Sequence, residues 1–445
     1  MAKSCPLPAG WHLSKMGETA AATLALEILP PESDLGPGEL PFGSLYLAAS
    51  VELQDATYSV GASEAESRGL VPLETIDPPR RALAVDGILP GSQGYPFSRK
   101  LAVVMRADGK DEALSAWLES ASRSAVSSDR RPLILAAAGD IQVGEEQWPL
   151  LLEGEDGLAT LLRGGALDLL RRSDLAVANL ESPISSRGVP NPRKHYHFRM
   201  PAGSSSWLKE AGLGMLLLAN NHALDYGLDA FMDTLADLDA TSTPYVGAGK
   251  SLAAAAAPRF VDSGPGGSLA FVGFACFPDE SQGFTLAEAA AGQAKAGVDA
   301  DLAAALISVR VAAASGAPVV VLAHGGNEYI EAPPKATREL FAKFAEAGAA
   351  LVIGTHPHQL QGCEARSGCL IAYSLGNFIF TDEAEPPQAW RGAVLHFLIY
   401  RGKVRAVMPF PILALYDYTM AEEDPALIED RLSALSALLA PVQPR

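Results

Sequence analysis

The sequence holds 445 residues, of which 48% are hydrophobic and 19% charged, a balance that suits a large folded core and excludes a disordered chain. Acidic residues outnumber basic ones 52 to 34, and no long Lys/Arg run offsets the excess, so nucleic acid is excluded as a partner. A polyanionic substrate would be repelled by such a chain unless a metal or local Arg/Lys inverts the sign at its site.

The opening residues, MAKSCPLPAGWHLSK, lack the apolar stretch of a signal peptide. No apolar run of about 18 residues predicts a membrane-crossing helix. Two readings follow: a cytoplasmic protein, or an envelope-associated one whose export segment lies upstream. Residues 1–130 show short alternating runs such as SLYLAASVEL at 44–53, broken by Pro/Gly segments, and a helical pattern at 111–123. Ser122–Arg131 reads as a linker.

From residue 133 a unit repeats: short apolar strand, polar motif, helical stretch. The strands fall at 133–138, 175–179, 215–219, 269–275, 319–323, 351–353 and 370–374, and a hairpin at 393–410 turns around Arg401-Gly402-Lys403. The intervening helices are Ala-rich, as at 301–314, and 426–440 reads as an amphipathic helix. The expected architecture is a layered α/β core over 131–415, a smaller N-terminal α/β domain over 1–130 and a helical tail over 416–445. Cys363 and Cys369 are either a hairpin disulfide or free thiols.

Polar motifs follow the strands: Gly139-Asp140, Asn179-Leu180-Glu181, Asn220-Asn221-His222, His324-Gly325-Gly326-Asn327-Glu328-Tyr329, Gly354-Thr355-His356-Pro357-His358 and Ser374-Leu375-Gly376-Asn377-Phe378. In an open α/β sheet they would meet at the carboxyl edge, where ligands bind. Each has a plain structural alternative. Asp140 could make a turn, Asn179 and Glu181 could cap a helix, and His324 could be a satisfied core residue. Together they supply carboxylates, imidazoles and an amide oxygen, the ligand types of Zn, Mn or Fe sites. The His356-Pro357-His358 segment could give one imidazole to each of two ions, with Pro357 keeping it extended. In the RKHYHFRM run at 193–200, Arg193, Lys194, His195, His197 and Arg199 form either a cationic lip for an anionic substrate or a solvated loop. His396 lies in an apolar strand and reads as a sheet-face residue.

The order GD, NLE, ANNHALDYG, HGGNEY, GTHPHQLQG and YSLGNFIF resembles the CapA family of poly-γ-glutamate capsule biosynthesis proteins, a branch of the calcineurin-like metallophosphoesterase superfamily. The resemblance spans about residues 133–380. It implies that Asp140 and His358 hold a first metal, that Glu181 bridges, and that Asn221, His324 and His356 hold a second. His222 would act as general acid or hydrogen-bond donor to the leaving oxygen. Asn179, Glu328, Asn377 and Arg199 would support the metals or the substrate, with Glu328 orienting His324 or a water. Two departures stand out: Gln142 replaces the histidine of the usual Asp-x-His, and Gly325 replaces a tryptophan.

The stretch at about 82–110, around Tyr95-Pro96-Phe97-Ser98-Arg99, looks like the later half of a periplasmic phosphate-type solute-binding protein, which implies work outside the cytoplasmic membrane. The resulting expectation is a protein with one or two Mn, Zn or Fe ions. It would be a hydrolase acting on a phosphoester or envelope polymer, or a non-catalytic accessory factor of the capsule synthesis machinery. A third reading is an envelope binding module driven by the N-terminal part.

Overall fold

The structure, a computed structural model, describes residues 24–29, 39–53, 55, 57–85, 88–93, 95–105, 116, 119–121, 131–153, 157–380, 390–415, 417–421, 426–437 and 439. The chain divides into two compact units, one of residues 1–50, 59–76 and 82–132, the other of 51–58, 77–81 and 133–445. In the smaller unit, Leu24–Leu29, Ser98–Met105, Glu39–Ala48 and Val71–Pro72 form an antiparallel four-stranded sheet in that order. Most of the helix expected at 111–123 lies outside the described residues.

The larger unit carries the motifs. Its main strands are β1 (Leu133–Ile141), β2 (Leu175–Leu180), β3 (Leu213–Leu217), β4 (Ser268–Cys276), β5 (Val319–Gly325), β6 (Leu351–Thr355), β7 (Cys363–Arg366), β8 (Cys369–Ala372), β9 (Asn377–Ile379), β10 (Arg391–Tyr400) and β11 (Lys403–Ala414). Its main helices are α1 (Ala166–Arg171), α2 (Gly227–Thr241), α3 (Leu302–Ala314), α4 (Lys335–Ala347) and α5 (Ala426–Ala437). The apolar runs of the sequence are these strands, as continuous burial on both faces requires of parallel sheets under helices.

One expectation changes. The strands form two sheets, where the sequence suggested a single open one. The first runs β11-β10-β1-β2-β3 through its centre, with β9 beside β1; the second runs β4-β5-β6-β8-β7. Strand parity shows how the second is covered. Leu269 and Phe271, Val320 and Leu322, and Leu351 and Ile353 join the core shared with the first sheet. The alternate residues Val272, Val321, Val352 and Ile371 pack on Val309 of α3 and on Phe341 and Phe344 of α4. The result is a layered α/β core of metallophosphoesterase-like layout.

The C-terminal segment is part of this core and not a separate tail. Thr419–Ala421 pairs with β11, and Ile428, Leu432 and Leu435 of α5 are buried in the main cluster. Leu53 and Tyr58 join the same cluster, so the early segment 51–58 crosses the expected boundary at 130. Cys363 and Cys369 are free thiols: across the β7–β8 hairpin Cys363 faces Ala372 and Cys369 faces Arg366. Burial pushes both thiols up to about 12.

Candidate metal centre

The first sheet aims its ligands by a bulge. Val177 of β2 pairs with Ala137 of β1, but Asn179 pairs with Asp140, so β1 holds one extra residue at Ala138–Gly139. A bulge flips parity, and it turns Asp140 onto the face that Ala137 presents. Gly139 permits this, because a Cβ there would lie 1.8 Å from the carbonyl oxygen of Gly376. That carbonyl accepts the Asp140 N–H at 3.1 Å, and β9 lies parallel to β1 with Asn377 beside Asp140. In the second sheet His324 continues the parity of Val320 and Leu322, and Thr355 that of Leu351 and Ile353, so both face the first sheet.

Asn179 ties the cluster together. Its Nδ2 donates to Asp140 Oδ1 at 2.8 Å and Glu181 Oε2 at 3.1 Å, and lies 3.1 Å from His324 Nδ1. Asn220 in turn donates to Asn179 Oδ1 at 3.0 Å. His324 Nε2 sits 2.9 Å from Asn221 Oδ1 and 3.2 Å from Glu181 Oε1, while its Nδ1 meets Thr355 Oγ1 at 2.9 Å. His358 Nδ1 meets Asn377 Oδ1 at 2.9 Å and Asp140 Oδ2 at 3.4 Å. The His356 N–H donates to Asp140 Oδ2 at 3.2 Å, and its ring lies edge-to-face on His324 at 4.8 Å.

Two sets of side chains have ligand atoms within 4.8 Å of one another: Glu181, His356 and His358, and Asp140, Glu181 and His324. Glu181 belongs to both. All five residues are buried. Both ring nitrogens of His356 and Oε1 of Gln142 are buried without a hydrogen-bond partner, and Glu181 Oε1 has only the His324 Nε2 contact. Orphaned acceptors and imidazoles in this number are costly in a dry interior and fit a site completed by a cation. These buried groups can therefore hold a metal ion.

Burial and mutual charge set the ionisation of the cluster. Burial, then the charge of Asp140, pushes Glu181 well above the usual carboxylate range. Burial also pushes His324 down to about 3 and His356 well below the ordinary imidazole value. In His358 burial is outweighed by the bond to Asp140 and by the Glu181 and Asp140 charges, which bring it up to about 10. Asp140 is held low against its burial by His358.

Pro357 does not keep its segment extended. His356 and His358 both have positive φ, 99° and 55°, and Tyr329 of the facing loop, φ 57°, bonds Pro357 O at 2.9 Å. Such backbone is strained for residues with a Cβ and marks functional loops. Glu328 is exposed, and the groups that orient His324 are Asn179, Asn221 and Thr355. A side chain at Gly325 would meet Cys276, its Cβ lying 2.4 Å from Sγ, which accounts for the small residue there.

His222 is the second residue of a 3₁₀ turn, Asn221–Leu224, and the i,i+3 spacing puts Asp225 beside its ring. His222 Nδ1 lies 2.8 Å from Asp225 Oδ2, an atom that also accepts the Phe198 N–H at 2.8 Å. Burial pushes His222 down to about 4 despite this carboxylate. At neutral pH the ring is therefore uncharged, with Nδ1–H on Asp225 and a lone pair on Nε2; donation from Nε2 requires a proton first.

The arginines and the lysine of the 193–199 run each have an acidic partner. Arg187 pairs with Asp233, Arg193 with Glu288 and Arg199 with Glu145. Arg199 also stacks on Tyr226 at 3.8 Å, and His197 bonds Asn191 O. Lys194 is interior: its Nζ meets Glu280 Oε1 at 2.6 Å, Asn221 O at 2.7 Å and Asp225 Oδ1 at 3.0 Å, over the Phe284 ring. It thus holds both the Asn221 loop and the carboxylate of His222. Nothing in the sequence separated Lys194 from Arg193, and Asp225 was visible only as the fourth residue of the His222 motif. His396 is the expected sheet-face residue, its Nε2 bonded to Leu169 O at 2.8 Å.

Fold and site together define a two-sheet α/β protein with a buried carboxylate–imidazole cluster between its sheets. Comparison with known proteins narrows the class: residues 134–382 match the bacterial capsule synthesis protein family PGA_cap, and the chain belongs to that family. The chain is 33% identical over 213 residues to the PGA biosynthesis protein CapA of Bacillus subtilis, covering 48% of this chain and 54% of that one. It is 31% identical over 227 residues to the capsule biosynthesis protein CapA of Bacillus anthracis, covering 47% and 51%. Over 103 residues it is 35% identical to a probable polyglutamine synthesis accessory protein of Mycobacterium tuberculosis, covering 23% and 27%. The chain spans about half the length of the two Bacillus relatives.

Proposed function

We propose that the chain is a metal-dependent hydrolase acting on a phosphoester or a cell-envelope polymer, in the service of capsule or poly-γ-glutamate biosynthesis. The observation that carries this reading is His356, a fully enclosed imidazole with neither nitrogen partnered, set against Glu181, His324 and His358. In this reading Asp140, Glu181 and His324, with Asn221 beside His324, would hold one divalent ion, and Glu181, His356 and His358 another; His324 and His358 exchange places relative to the expected sets, and Mn, Zn or Fe suit the mixed donors. Such ions, when bound, activate a water and polarise the scissile group.

The chain's own residues supply position and proton transfer. Thr355 and Asn377 fix the rings of His324 and His358, and Asn179 spaces the two carboxylates. Asp225 fixes the tautomer of His222, which leaves Nε2 to exchange a proton with the substrate. The place of action in this reading is outside the cytoplasmic membrane, on the strength of the likeness at 82–110 and the capsule names of the relatives. Fractionation of cells producing the native protein tests it; recovery only from the cytoplasm refutes it.

The second reading, a non-catalytic accessory factor, is favoured by the mycobacterial relative's name. Assay of Mn²⁺- or Zn²⁺-loaded protein on generic phosphodiesters and on poly-γ-glutamate separates the two. The hydrolase reading expects turnover that chelation abolishes. A folded, metal-loaded and inert protein contradicts it.

A further inference from the structure

The position that departs from the superfamily's ligand pattern is Gln142, and its surroundings give it a role of its own. β1 and β2 run parallel, with Asn179 beside Asp140 and Leu180 beside Ile141. The register continues past the strand ends: the Glu181 N–H bonds Ile141 O at 2.9 Å, and the Val143 N–H bonds Ser182 Oγ at 2.8 Å. Gln142 therefore lies beside Glu181. Its own N–H bonds Ile379 O at 2.8 Å on the other side, so the backbone is still extended there.

Side chains two apart on a strand share a face. Asp140 and Gln142 on β1, and Asn179 and Glu181 on β2, are then four corners of one patch, about 5 Å across the strands and about 7 Å along them. The Asn179 bonds to Asp140 and Glu181 confirm that this face is the cluster's face. On it, Gln142 Oε1 is buried without a hydrogen-bond partner, and Glu181 Oε1 has only the His324 Nε2 contact at 3.2 Å. An orphaned amide oxygen on the face of a buried carboxylate is a place that a cation would complete.

We propose that Gln142 is a metal ligand through Oε1, filling the place of the absent histidine and making the two metal positions chemically unequal. The proposal rests on the metal centre put forward above. One position then gathers oxygens from Asp140, Gln142 and Glu181 with the single imidazole of His324. The other keeps two imidazoles, His356 and His358, with Glu181. Hard oxygen donors select Mn²⁺ or Mg²⁺, while imidazoles favour Zn²⁺ by the ordinary affinity order. The chain would therefore bind Zn²⁺ at one position and discriminate against it, relative to Mn²⁺, at the other.

The test is titration of the full chain with Mn²⁺ and with Zn²⁺, followed by calorimetry and by Mn²⁺ paramagnetic resonance, for wild type, Gln142→Met, Gln142→Glu and Gln142→His. Wild type should bind two Mn²⁺. Gln142→Met, of similar volume and without a hard donor, should weaken one of them at least about tenfold. Gln142→Glu should bind Mn²⁺ at least as tightly as wild type, and Gln142→His should raise Zn²⁺ affinity relative to Mn²⁺ at the same position. Equal Mn²⁺ binding in wild type and Gln142→Met overturns the proposal, as does equal weakening in Met and Glu variants, which marks a purely structural residue. In both cases the metal centre stands. A folded wild-type chain that binds no ion overturns the centre and this proposal together.

Discussion

Lys194→Met isolates what burial adds to a charge. The ammonium contacts two carboxylates, of Asp225 and Glu280, and one carbonyl, with its side chain fully covered. Removing it leaves the wholly buried Asp225 carboxylate without its cation. Breaking a buried pair from one side costs about 3–5 kcal/mol. That is a large part of the roughly 5–15 kcal/mol that holds a typical domain together. In thermal terms the loss is on the order of 10 °C. The control is its neighbour, Arg193→Met: Arg193 is half exposed and pairs with Glu288 at the surface, where ion pairs contribute little. Urea unfolding followed by circular dichroism should show a large fall in midpoint for Lys194→Met and none for Arg193→Met. Indistinguishable midpoints would refute the assignment of Lys194 to the interior.

Asp299 is enclosed, with Oδ2 unpartnered, and burial pushes its carboxyl up to about 7. The folded chain resists its ionisation, so this group's contribution falls as pH rises from about 4 to about 7. Asp299→Asn should stabilise the protein at pH 8 by up to ~4 kcal/mol and have little effect at pH 4, read from unfolding curves at both pH values. Metal binding requires His358 to give up the proton that Asp140 and Glu181 hold on it. Mn²⁺ affinity should therefore rise with pH between 6 and 9, with proton release seen by calorimetry in buffers of different ionisation enthalpy. His222→Ala should lower hydrolysis about 10²- to 10⁴-fold and leave metal stoichiometry unchanged. Loss of bound metal in that variant would place His222 among the ligands instead.

The strands β1 to β6, β8, β10 and β11 were legible because each is an apolar run that is largely buried, and the histidines and carboxylates stood out because most follow such a run. The sorting of those strands into two sheets was not legible: β4, β5 and β6 read like β1, β2 and β3, and only parity against partner helices separates them. The extra residue of β1 was likewise hidden, since a bulge is a property of the pairing and not of the string Ala138-Gly139. The second strand beside Asp140, Asn377–Ile379, is too short to show a period. The run at 193–200 left a cationic lip and a solvated loop both open because the partners of Arg193 and Arg199, Glu288 and Glu145, lie far away in sequence. Pro357 suggested extended backbone, but tertiary contacts of the loop hold both flanking histidines at positive φ.

The metal content of the cluster around Glu181 decides what that cluster is. Elemental analysis of the purified, folded chain after exposure to Mn²⁺, Zn²⁺ and Fe²⁺ measures it most directly, with His356→Ala as comparison. One or two divalent ions per wild-type chain, fewer in His356→Ala, is the predicted result. A folded wild-type chain that retains none of the three would contradict the account.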